Sequence, residues 1–302
     1  MLLALFSLFT GEYQLTGHDE GWRMLWITRW PRTASLILSG IAMAMSGLVM
    51  QLMSQNRFVD ASTSGTLEWS SLGILLAYVL FKNPTIFERM TLSIVMAFVG
   101  TLIFYKLLQN IRLEGPLMVP IVGMMIGAVI SALVTFMSMA MGLDQVVQTW
   151  FVASFSSIEM GRYEYLWLIL GLVLLLYLFA DRLTLASLGE ETATSLGLSY
   201  QSTVLVGVCL VAFAVGLTSA VIGQLPFVGL IVPNLVSLYR GDHLRSNLPW
   251  VCLCGAGIML VSDILSRILI RPFEVPVSIL LSIFGAIVFT VLLFRKYLTK
   301  GG

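Results

Sequence analysis

Residues 47–73 read GLVMQLMSQNRFVDASTSGTLEWSSLG, and this stretch sets Gln51, Gln55, Asn56, Arg57 and Asp60 between two apolar runs, each long enough to be membrane-embedded. In hydrocarbon every polar group must find a protein partner, so a polar knot between spans is either a surface loop or the lining of a protected pathway. The residues alone leave both readings open.

Hydrophobic residues make up 58% of the 302-residue chain, charged residues 11%, and the mean hydropathy is +0.94. A soluble domain of this length would lack the polar surface to stay dispersed. The chain therefore reads as all-α, a polytopic integral membrane protein, with residues 1–302 forming a single transmembrane domain in contact with membrane lipid. A formal net charge of +1 excludes nucleic acid as a partner, which would call for a concentrated basic surface. Cys209, Cys252 and Cys254 lie in apolar runs, while His18 and His243 fall in separate connections. No spacing among them suits zinc, haem or an iron–sulfur cluster, so no metal site or cofactor is expected.

Residues 1–9, MLLALFSLF, are too short a run to cross a hydrocarbon core, which needs about 20 residues. They lack the basic start and small-residue cleavage site of a signal peptide. Full spans are predicted at residues 33–53, 63–81, 87–108, 116–140, 163–180, 202–223, 225–240, 249–270 and 276–296. The first carries Gly40, Ala44 and Gly47 at helical spacing, a stripe that lets another helix approach closely. Gly123 and Gly127 form a second such face. Pro226 and Pro233 interrupt the seventh span, where a proline breaks the hydrogen-bond ladder and needs compensation from neighbours. Residues 143–162 read as an amphipathic, partly helical surface segment with Trp150 in the aromatic belt.

Five separated stretches carry a resemblance. They are Arg29-Trp30-Pro31-Arg32, the Met50–Gly65 region, Trp150–Ser156 (WFVASFS), Pro226–Asn234 (PFVGLIVPN), and Glu274-Val275-Pro276. A sixth is SLGEETATSLG at residues 187–197. In this order they resemble the permease subunits of ABC importers for ferric siderophores and vitamin B12, nearest in wording to permeases for catecholate-type or anguibactin-type ferric siderophores. Departures are Ala153, Asn234 and Ser278, where that family usually has Gly, His and Gly. The resemblance implies a ten-helix type II importer fold with both ends cytoplasmic, so the first helix looks truncated: either the start is assigned late or the first span is incomplete. Counting basic residues in loops places nine inside and eight outside, which does not settle orientation. The cluster Arg295, Lys296 and Lys300 favours an inner C-terminus.

The chain shows no Walker A loop, Rossmann glycines or HExxH motif, so it carries no nucleotide or hydrolytic site of its own. The resemblance implies a non-enzymatic subunit of the bacterial inner membrane that takes ferric siderophore from an extracytoplasmic binding protein. It would be energised by a separate ATPase and paired with a second permease subunit, identical or different. It assigns ATPase coupling to Leu188, Gly189, Glu190, Glu191, Ala193, Leu196 and Gly197, a cytoplasmic gate to Asn56 and Phe58, and binding-protein docking to Arg29, Arg32 and Arg267. Candidates for the pathway wall are Gln51, Glu68, Gly123 and Gly127. The rival reading is an ion-coupled secondary transporter of a small organic solute, which places acidic residues at mid-membrane. Glu68 and Asp263 are its only candidates, both near span ends. For Glu68 the plain alternative is a hydrogen bond to neighbouring serine hydroxyls.

Overall fold

The computed structural model describes residues 2–9, 23, 25–111, 115, 117–241, 244–270 and 273–298. His18, His243 and Lys300 lie outside them, as do the side chains of Trp150, Arg295 and Lys296. In chain order the elements are α1 (Leu2–Phe9), a π-helical turn (Leu25–Arg29), α2 (Trp30–Met53), α3 (Thr66–Leu80), α4 (Ile86–Asn110), α5 (Met118–Ala140) and α6 (Asp144–Phe151). A 3₁₀ turn (Tyr163–Trp167) leads into α7 (Leu168–Ala186), followed by α8 (Glu190–Ser195), α9 (Tyr200–Val221), α10 (Val228–Arg240), α11 (Leu244–Ile268) and α12 (Val277–Leu298). Among the described residues seven helical stretches are long and apolar enough to cross a membrane, and α3 and α10 are shorter apolar helices of 15 and 13 residues. Together they account for the nine spans read from the sequence.

Helix α2 is the axis of the bundle. Of its apolar window 78% is buried, against 22% for α5, so α2 packs on all sides while α5 leaves most of its surface uncovered by the rest of the chain. The Gly40, Ala44 and Gly47 stripe explains how neighbours come so close. A Cβ on Gly255 of α11 would lie 2.9 Å from that of Ala44, and one on Gly229 of α10 would lie 2.8 Å from Gly47 Cα. Water cannot drive helices together inside a bilayer, so close backbone approach and buried hydroxyl pairs do the holding. Ser70 and Ser93 supply such a pair between α3 and α4, at 2.7 Å.

Boundaries shift where local chemistry overrides periodicity. Helix α3 starts at Thr66 rather than 63 because Gly65, at φ 80°, ends the preceding turn in a left-handed conformation. Helix α4 begins with a capping box, Thr85 and Glu88 each satisfying the other's backbone N–H. Helix α7 runs past residue 180 because Leu183 and Ala186 remain on its buried face. The surface segment at 143–162 is the short helix α6 followed by an irregular return.

Candidate functional site

Pro233 lies inside α10 and has no N–H to donate to the carbonyl of Gly229, four residues before it. Gln51, near the end of α2, fills that vacancy: its Nε2 donates to Gly229 O at 3.2 Å. Asn234 completes the junction, its Nδ2 donating to Leu230 O at 2.7 Å and to Arg57 O at 2.8 Å. The glutamine and the proline, 182 positions apart in sequence, are therefore one structural device that pins the loop after α2 to the broken helix α10. Beside them is a cavity of about 240 Å³, lined by Gln51, Gln55, Asn56, Ser187, Ser237 and Asn247 among others.

The loop itself is built to survive at depth. Asp60 is buried, and its Oδ1 accepts from Ser62 N, Ser62 Oγ and Thr63 N at 3.1, 2.7 and 2.9 Å. This is a side-chain turn that satisfies backbone which no helix or water serves. Asn56 is also buried, and its Oδ1 accepts from Phe58 N at 3.0 Å. Phe58 turns inward and meets Phe289 of α12 edge to face, ring centroids 5.7 Å apart. The two gate candidates thus sit together in one tight turn, clamped between α10 and α12.

Next to this loop is α8. Gly189, at φ 98°, and Gly197, at φ 82°, end it on both sides. Ala193 faces the core and is fully buried, whereas Leu188 and Leu196 are 55% and 60% exposed. A bulky charge at Ala193 would have to displace the core that covers its methyl. The exposed leucines are the ones a partner could reach. A Cβ on Gly189 would come within 3.1 Å of Gln55 Nε2, so the N-terminus of α8 abuts the loop after α2 directly.

At the opposite end of α2, the three docking candidates are engaged within the chain. Arg32 donates from Nε and Nη2 to Asp263 Oδ1 at 3.1 and 2.7 Å, and from Nη1 and Nη2 to the two oxygens of Glu274 at 3.0 and 2.9 Å. Arg267 pairs with the other oxygen of Asp263 and donates to Ser7 O at 3.3 Å. Arg29 donates to Leu8 O at 3.0 Å. Asp263 is thereby the buried centre of an ion cluster, which accounts for one of the two acidic residues that the secondary-transporter reading needed. Arginine at the end of α1 also serves its orphan C-terminal carbonyls.

Glu68 stands in the first turn of α3. The neighbouring serines are taken elsewhere, Ser70 by Ser93 and Ser71 by Gln224 at 2.8 Å, so the expected serine contact is not made. Its Oε2 is buried, without a hydrogen-bond partner among the described residues. Gly127 explains the approach: a Cβ there would lie 3.2 Å from that oxygen and from Gly65 Cα. Gly123 likewise faces the backbone of Thr63 and Ser64. Both glycines serve the contact of α5 with residues 63–68.

An apolar helical bundle with two short helices, a buried polar loop held against one of them and a short surface helix beside it has the build of a membrane permease. The chain belongs to the FecCD transport family, whose profile matches residues 1–295. It is 55% identical over 296 residues to the petrobactin import system permease protein FatD of Bacillus anthracis, covering 98% of this chain and 89% of that one. To the ferric-anguibactin transport system permease protein FatD of Vibrio anguillarum it is 36% identical, covering 98% of each. Among solved structures, a metal-chelate type ABC transporter in an inward-facing conformation matches with TM-score 0.82 and 26% identity, covering 97% of this chain and 96% of that one.

Proposed function

We propose that this chain is the permease subunit of an ABC importer that carries ferric siderophore across the bacterial cytoplasmic membrane. It is taken as one transmembrane domain over residues 1–302. The observation that carries this reading is the 55% identity, along nearly the whole chain, to a permease named for petrobactin import. The siderophore arrives on an extracytoplasmic binding protein, passes between two permease subunits, and is driven by a separate ATPase.

Each step has residues suited to it. Leu188 and Leu196 flank α8 as exposed apolar contacts for an ATPase cleft, and the helix pivots between Gly189 and Gly197. Movement of α8 reaches the gate through Gln55, one residue before Asn56. Phe58 closes the pathway as a bulky apolar plug next to a polar residue, an arrangement that seals by narrowing and dewetting. Arg29, Arg32 and Arg267 make up the docking end for the binding protein, where Arg32 offers the outer edge of its fork to a carboxylate, which such a fork holds by two parallel bonds while staying charged.

The test is uptake of iron-labelled petrobactin into cells carrying or lacking this chain. Uptake should need the chain and stop when ATP is depleted. Transport that survives ATP loss but stops on collapse of the proton gradient would instead support an ion-coupled carrier.

A further inference from the structure

Of the four charged groups in the outer cluster, three are sequestered: Asp263 is fully buried, and the side chains of Arg267 and Arg32 are 10% and 13% exposed. Glu274 differs at 40% exposed. It stands on the connection between α11 and α12, which is tied back by a bond from Val275 N to Ser266 O at 3.2 Å and another from Ser266 Oγ to Val275 O. The guanidinium of Arg32 has five N–H donors. Two point at Asp263 and two at Glu274, so no two-donor edge is left for another carboxylate.

We infer that Glu274 is an exchangeable internal counter-ion for Arg32, holding the place of an acidic side chain on the extracytoplasmic partner until that partner docks and displaces it. This rests on the docking reading given above. Exchange is favoured over addition on two grounds. A third carboxylate beside Asp263 and Glu274 would meet two like charges with no spare pair of donors. Glu274, at the edge of the cluster and already close to water, is solvated again when it swings out. Asp263 stays, since it is fully buried and paired with two arginines. The partner's carboxylate therefore inherits the outer edge of the Arg32 fork while the inner edge keeps it aimed. The freed connection runs straight into α12, the helix whose Phe289 packs on Phe58.

The experiment uses the full-length permease in nanodiscs and the purified siderophore-binding protein of the same importer, with association rate and Kd measured at low and high salt. Removing the internal competitor with Glu274→Gln should tighten binding at least threefold at low salt, with the gain shrinking as salt rises. In an Arg32→Gln background the gain should vanish. Unchanged Kd for Glu274→Gln, with binding weakened by Arg32→Gln, would overturn the exchange and leave docking through Arg32 standing. If Arg32→Gln also binds normally, the docking reading falls with it. Hydrogen exchange of the wild-type protein gives a second readout: partner binding should speed exchange at the Val275 amide, and unchanged or slowed exchange there would refute displacement.

Discussion

Gln51→Leu removes the donor that serves Gly229 O while nearly preserving side-chain volume, so the loss is electrostatic rather than a cavity. Pro233 cannot supply the bond, and Gly229 is buried where α10 presses on Gly47 of α2, so no other protein donor takes the place of Gln51. Leaving a buried carbonyl without its partner costs about 1–3 kcal/mol. Pro233→Ala restores the intrahelical N–H to that same carbonyl. In the alanine background the glutamine should therefore matter much less, giving a coupling between the two positions of about 1–2 kcal/mol, within the range seen for residues sharing one network. Membrane proteins often unfold irreversibly, so the quantity to measure is the rate of thermal inactivation in one detergent for the wild type, both single variants and the double variant. A stability loss of 1.4 kcal/mol corresponds to about tenfold in rate if the bond is broken in the transition state. Additive rate effects, or the same penalty for Gln51→Leu with and without Pro233, would refute the claim that the glutamine substitutes for the missing proline donor.

Further outcomes follow from the same geometry. Leu196→Glu should abolish assembly with the ATPase while leaving the permease folded, whereas Ala193→Glu should lower folded yield itself; size-exclusion profiles and co-purification separate the two. Gly229→Ala should destabilise by about 1–3 kcal/mol through overpacking against Gly47, seen as a faster thermal inactivation, and Gly257→Ala, whose added Cβ meets nothing within 4 Å, should not. Phe58→Ala forfeits the ring pair with Phe289, worth about 0.5–1.5 kcal/mol beyond area, and should raise ATP-independent leak of substrate from proteoliposomes. Arg32→Lys should recover little of the stability lost in Arg32→Gln, because one ammonium cannot hold Asp263 and Glu274 by paired bonds; inactivation rates of the three proteins test this.

The helical membrane class was legible because composition admits little else, and the small-residue stripe on α2 was legible because only close helix contact uses Gly40, Ala44 and Gly47 in that register. Both glycines around α8 announced its ends. What the sequence hid was pairing at a distance. Gln51 reads as a pathway candidate, and nothing in the sequence links it to Pro233, whose missing donor it supplies. Arg32 and Arg267 read as outward charges, yet Asp263 and Glu274, more than 230 and 240 positions after Arg32, take up its fork. Asp263 and Arg267 at a spacing of four on one helix were a visible signal for an ion pair, and Arg32 was not part of it. Gly123 and Gly127 announced a contact face but not its occupant, the turn at 63–68.

As a permease of this kind, the chain should conduct ferric siderophore only when an ATPase works on α8. The most direct measurement is uptake of iron-labelled petrobactin into proteoliposomes holding the permease, its ATPase and the loaded binding protein, with and without ATP inside the assay's cytoplasmic compartment. The account requires ATP-dependent accumulation that Leu196→Glu eliminates. Accumulation without ATP, or undiminished accumulation by Leu196→Glu, would contradict it.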